Sequence, residues 1–94
     1  MNEHLLQYIW QHLYFNKDEL LTVQNEPLQI LFQGSRNTNQ GPDFSAAKIN
    51  IGKVTWAGNV ELHVKTSDWI KHGHTGDVHY NNVILHVVYE HDVA

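Results

Sequence analysis

Twelve consecutive residues, Val54 to Lys65, alternate in side-chain position with a period of two. Val54, Trp56, Gly58, Val60, Leu62 and Val64 fall on one face of an extended chain, and Thr55, Ala57, Asn59, Glu61, His63 and Lys65 fall on the other. Successive strand side chains point to opposite sides, so the pattern specifies one long β-strand with an apolar and a polar face. A strand of that length is not stable alone. It requires a sheet, and the sheet becomes the element around which the rest must pack.

The flanking sequence supplies the partners. Gly52-Lys53 reads as a turn that joins this strand to another over residues 43–51. Leu28 to Gln33 follows Pro27, reads as a first strand and stops at Gly34; the polar run Ser35 to Gln40 reads as a loop. Val83 to Tyr89 is almost entirely apolar and β-branched, as expected of a central strand buried on both faces. Residues 3–15 read as a helix, with Leu6, Ile9, Trp10 and Leu13 at helical spacing and Asn2 as its N-cap. Asn16 and Glu19 suggest a second short helical turn. Residues 67–72 read as one or two helical turns stopped by Gly73, with Asp68 as a cap, and His74 to Asn82 as a polar connection. Trp10 and Trp56 are expected in the core, Trp69 in the core or as a stacking platform, and His86 in an internal hydrogen bond.

These elements predict an α+β fold, a helix on a mixed sheet of about four strands. At 94 residues with 41% apolar content the chain makes one small domain, near the lower size at which a core suffices. A central strand so close to the chain end wants neighbours on both edges. The expectation is therefore that residues 1–94 are the N-terminal part of a longer protein, or that a homo-oligomer or the missing C-terminal region completes the sheet. The chain has no cysteine, which excludes disulfides and thiolate metal sites. No secretory leader and no apolar run of membrane-spanning length is visible, so a cytoplasmic location without membrane contact is expected. A net charge of −4 and six Lys and Arg residues argue against a broad nucleic-acid surface. Protonation of the eight histidines would reverse that sign.

The chemistry concentrates between Gly41 and Lys65. Asp43 stands where the chain enters one strand, stiffened by Pro42, and Glu61, His63 and Lys65 share a face of the next. Carboxylates arriving from neighbouring strands build an oxygen-rich site for Mg²⁺ or Mn²⁺. The expected ligands are Asp43, Glu61 and the carbonyl oxygen of Leu62, with His63 and Lys65 as catalytic partners that orient water or stabilise developing charge. The same residues also fit a solvated hairpin face on which Asp43 makes an Asx-type turn.

An Asp, seventeen intervening residues and a Glu-x-His in a helix–strand–strand–strand context resembles the restriction-endonuclease-like PD-(D/E)xK nuclease superfamily. Pro42-Asp43 corresponds to the PD element and Glu61-Leu62-His63 to the ExK element. His63 departs from the usual Lys, and Lys65, one step along the same face, can take its place. Glu3 lies on the helix where that superfamily often carries a carboxylate. The resemblance implies a metal-dependent nuclease, or phosphodiesterase, acting on nucleic acid, or a degenerate nuclease fold used only for binding. Over nearly its whole length, through EHLLQYIWQHLYF, GPDFSAAKINIG, WAGNVELHVKTSDW and NNVILHVVYEHD, the chain also resembles the N-terminal region of a bacterial family of unknown function with members several hundred residues long. That likeness implies no activity.

A second constellation, His72-Gly-His74-Thr-Gly-Asp77-Val-His79, has the residue types of a Zn²⁺ site. It is similar to the HxHxDH signature of metallo-β-lactamase-like hydrolases, but Asp77 and His79 are spaced too far along. The readings thus divide three ways: a Mg²⁺- or Mn²⁺-dependent nuclease-like domain, a non-enzymatic interaction or oligomerisation module, and a zinc-binding hydrolase-like site at His72, His74 and Asp77.

Overall fold

The computed structural model describes residues 1–38, 41–71 and 82–92. In chain order it contains α1 (Glu3–His12), β1 (Leu28–Phe32), β2 (Ser35–Arg36), β3 (Phe44–Ile51), β4 (Val54–Lys65), α2 (Thr66–Lys71) and β5 (Val83–Glu90). The strands form one sheet in the order β1-β3-β4-β5, with β2 also paired to β3. All pairs are antiparallel except β4 with β5, which is parallel. The fold is α+β, as the sequence predicts.

The alternating segment is a strand over its full predicted length. Ile51 pairs with Val54 across the Gly52-Lys53 turn, and Gly52 takes φ 58°, a left-handed conformation that suits glycine in a two-residue hairpin loop. Asn2 caps α1 by accepting the Leu5 amide at 2.8 Å. The helix stops three residues earlier than expected because Leu13 turns left-handed, at φ 54°. The Tyr14 amide then reaches Ile9 O at 2.9 Å and the Leu13 amide Trp10 O at 3.1 Å, the paired bonds of a Schellman stop. Asn16 caps no second helix; its Oδ1 accepts the Asp18 amide at 3.0 Å in a local turn.

Two features place the start of β3. The segment after Gly34, expected as loop, contributes β2, which pairs Ser35 with Ser45 and Arg36 with Phe44. β1 and β2 thus share one side of β3. Between Phe44 and Ala47 the register of β3 shifts, with Ala46 at φ 58° and its amide on Asn59 Oδ1 at 3.3 Å. This bulge lets Phe44 and Ala47, three residues apart, both enter the core.

The core consists of Leu6, Trp10, Phe44, Ala47, Ile49, Val60 and Leu62, with α1 lying against the sheet. Trp10 is buried as expected and anchors its indole N–H on Gln33 O at 3.0 Å. Trp56 departs from expectation: it is 48% exposed, and Val54 is 53% exposed. The buried stretch of β4 runs only from Val60 to His63, so the apolar alternation continues beyond the covered part of the sheet. β5 also departs. It lies at the sheet edge instead of its centre, with six half-buried residues and exposed Tyr89 and Glu90. The parallel crossover through α2 returns the chain to the outer side of β4, and among the described residues no strand pairs beyond it. No helix among the described residues is long and apolar enough to cross a membrane.

Gly58 permits the β4–β5 contact. A Cβ there would stand 2.5 Å from Ile84 Cγ2 and 2.7 Å from Asn82 O. Gly58→Ala is therefore expected to push β5 away from β4 and cost about 1–3 kcal/mol, as overpacking does. Urea unfolding monitored by tryptophan fluorescence checks this, and an unchanged midpoint would contradict it.

Candidate functional site

The site forms where β3 begins beside β4. Asn37, just after β2, holds both residues of the Pro42-Asp43 pair: its amide donates to Asp43 O at 2.8 Å and its Nδ2 to Pro42 O at 2.9 Å. Asp43 precedes the first residue of β3, so its side chain meets β4 where the backbone ladder ends. There its Oδ2 accepts the Leu62 amide at 2.8 Å, in the place of a ladder carbonyl. Its Oδ1 accepts Gln7 Nε2 from α1 at 2.7 Å. Helix and strand thus converge on one carboxylate, and the loop holds its backbone. Asp43 makes no solvated Asx turn; it is tied to two elements far from it in sequence.

Gln7 continues the chain of contacts outward. Its Oε1 accepts Arg36 Nη2 at 2.9 Å, and the guanidinium lies 5.9 Å from the centre of the Phe44 ring. A donor partner on one side and an acceptor on the other fix which way the Gln7 amide points.

Glu61, on β4, is 4% exposed. Burial pushes its carboxyl up from an ordinary 4.5 to about 9, helped by a hydrogen bond to Asp43 and by the negative charges of Asp43 and Glu3, against a smaller opposing bond from the Leu62 amide. The surroundings of Glu61, with the Asp43 carboxyl beside it, thus favour its protonated form. Its Oε2 is buried with no hydrogen-bond partner, an arrangement that ordinarily costs stability. Glu3 reaches this group electrostatically from the first turn of α1. Among the described residues no three His, Asp or Glu side chains form a group that could hold a metal ion. The donor set is a pair of carboxylates with one unsatisfied oxygen, which suits a hard cation that keeps several waters.

His63 and Lys65 follow Glu61 on the same face but separate in environment. His63 is 1% exposed, and its Nδ1 lies 2.9 Å from His86 Nε2 on β5, the rings nearly perpendicular. One of the two facing nitrogens carries the hydrogen and the other accepts it. His86 thus has the internal hydrogen bond expected of it. Lys65 is exposed. Its charge helps hold Asp92 below the usual carboxylate range, an effect owed first to the Ser67 hydroxyl at 2.7 Å and then to the Ser67 amide at 2.9 Å. Asp68 accepts the Lys65 amide at 3.1 Å, capping α2 from within its first turn. His72, His74, Asp77 and the side chain of Trp69 lie outside the described residues.

The structure thus brings together Asp43, Glu61 and the Leu62 backbone, with Glu3 nearby. Three contributors were not anticipated from the sequence: Gln7, Arg36 and Asn37. Gln7 had one readable signal, its position four residues after Glu3 on the same helix face.

These features define an α+β domain with one mixed sheet and a pair of carboxyl groups, buried Glu61 and half-buried Asp43, where β3 begins beside β4. The chain belongs to the family described as Protein of unknown function (DUF2851), whose model matches residues 3–94. No curated protein and no solved structure matches it.

Because Glu61 holds its proton more tightly folded than unfolded, the contribution is fully present below 4.5 and is lost as pH rises toward 9. The slope in that window approaches about 1.4 kcal/mol per pH unit. Glu61→Gln, neutral at every pH, should flatten the slope and stabilise the metal-free protein at neutral pH by on the order of 2 kcal/mol. Thermal unfolding across that window checks both; equal slopes in the two proteins would contradict the assignment.

Proposed function

We propose that this domain is a nuclease-like, phosphodiester-directed module that binds Mg²⁺ or Mn²⁺ through Asp43 and Glu61, with the Leu62 carbonyl as a further oxygen. The observation that carries this reading is buried Glu61 beside half-buried Asp43, with Glu61 Oε2 left without a hydrogen-bond partner. A divalent cation between them would relieve the repulsion and satisfy that oxygen. The helix–strand–strand–strand order and the Asp and Glu-x-His positions support the PD-(D/E)xK resemblance. A bound ion of this kind would neutralise charge on a phosphoryl oxygen and lower the pKa of a water molecule.

The remaining residues take distinct parts. Glu3 adds negative charge from the helix. His63 orients water or stabilises developing charge, and His86 holds its ring in place. Lys65 serves as a peripheral, exposed cation. A cytoplasmic location belongs to the same proposal.

One observation favours a second reading. Among the described residues β5 is an apolar edge strand, and Trp56 and Val54 are exposed on β4, the strand it pairs with. Such an edge suits an interaction or oligomerisation module that adds a strand from another chain or from further sequence. Concentration-dependent sedimentation with no metal affinity would favour it. The zinc alternative at His72, His74 and Asp77 draws no support from the described residues.

Calorimetric titration of Mn²⁺ into the wild type, Asp43→Ala and Glu61→Gln tests the main reading, with circular dichroism to verify folding. The wild type should bind, and both variants should lose at least tenfold in affinity, about 1.4 kcal/mol or more. Equal binding in folded variants would sink the assignment. Metal-dependent cleavage of plasmid DNA should likewise disappear in both.

A further inference from the structure

Arg36 is the single arginine of the chain, and six basic residues in all are set against a net charge of −4. Where that one guanidinium sits is therefore informative. β2 is only two residues long and pairs with the first residues of β3, so Arg36 stands opposite Phe44, next to Asp43 in sequence. The Phe44 ring lies beneath the guanidinium at 5.9 Å. Gln7 takes one of its five N–H donors at 2.9 Å and passes the contact on to Asp43 at 2.7 Å. The cation is thus two hydrogen bonds from the carboxylate pair but makes no ion pair with Asp43. It is exposed, so its other donors remain open to an incoming group.

A structural tie between β2 and α1 needs only a neutral donor. A delocalised planar cation held at a fixed distance from an acidic site, on an aromatic ring, is the arrangement that grips an anionic oxygen in two-pronged fashion. An acidic site of this kind disfavours a phosphate unless a cation accompanies it, and Arg36 is the one charged donor these contacts link to it.

We propose that Arg36 is the phosphate anchor of this site, binding the non-bridging oxygens of a nucleic-acid phosphodiester beside the Asp43–Glu61 pair, with Gln7 as the positioning residue that fixes the spacing between anchor and carboxylates. The inference rests on the phosphodiester reading above and adds the residue that recognises the substrate. It also reconciles the low basic content with that reading: recognition is focused on one guanidinium and one metal ion, without a broad positive surface.

The test uses the wild type, Arg36→Gln and Arg36→Lys, with a fluorescein-labelled duplex oligonucleotide as probe. Fluorescence anisotropy in Mn²⁺ is measured over a range of salt concentrations, and Mn²⁺ affinity is measured separately by calorimetry. Arg36→Gln keeps a side-chain amide that can still donate toward Gln7, so folding is retained. Its Mn²⁺ isotherm should match the wild type, its oligonucleotide affinity should fall about tenfold, and the slope of log K against log salt should lessen by about one. Arg36→Lys should recover part of the affinity, since it restores charge without the planar fork. A purely structural tie would leave the salt slope unchanged. Wild-type affinity and slope in Arg36→Gln would overturn the anchor, and so would failure of the wild type to bind the oligonucleotide at low salt. If the wild type binds no Mn²⁺ but the Arg36 effect on the oligonucleotide persists, the anchor stands and the metal assignment falls.

Discussion

The hydrogen bond from the Leu62 amide to Asp43 Oδ2 is the contact on which the rest of the site depends. It stands at the point where β3 stops supplying backbone acceptors to β4, so a side chain completes the ladder. That use fixes one oxygen of Asp43 in the plane of the sheet and turns the other toward Gln7 on α1. It also brings a second carboxyl group against Glu61, the next residue back along β4. Burial and that neighbour together keep Glu61 protonated, and its second oxygen is left unsatisfied. A domain with seven buried apolar residues among those described has little stability to spare, so a buried carboxyl oxygen without a partner points to use.

The sheet distributes its polar groups in layers that follow from its topology. On one side, Leu62 and Val60 join the apolar core under α1. Glu61 and His63 alternate to the opposite side, and the parallel return of the chain sets β5 beside them, so Glu61 lies across from His86 and His63 from Val88. The imidazole pair is thus a product of parallel pairing and follows from no local pattern. It gives the buried His63 ring a partner from the neighbouring strand that orients it.

Much of the architecture was legible in the sequence because side-chain period and turn chemistry are local. The alternation from Val54 to Lys65 and the Gly52-Lys53 turn specify the hairpin, and the Leu6 and Trp10 spacing specifies the helix face. The proximity of Asp43 and Glu61 was legible too, since a hairpin of known register brings its two ends together. What failed was what depends on coverage and order. Trp56 continues an apolar alternation, but nothing in a strand's own sequence reports where the covering layer stops. Val83 to Tyr89 has the composition of a central strand, yet strand order places it at the edge. The early end of α1 required Leu13 to turn left-handed, which residue type disfavours. Gln7 offered only its spacing from Glu3, and Arg36 offered no signal, because a two-residue strand is too short to show a period. The raised pKa of Glu61 arises from burial and three-dimensional neighbours, which no spacing encodes.

The account turns on Glu61 being held neutral by its burial and by Asp43. Carbon-13 NMR titration of the Glu61 side-chain carboxyl in the metal-free protein measures this directly. The account predicts a midpoint near 9, moving toward lower pH in Asp43→Asn, where the neighbouring charge is removed. A midpoint near the ordinary 4.5, unaffected by Asp43→Asn, would contradict it.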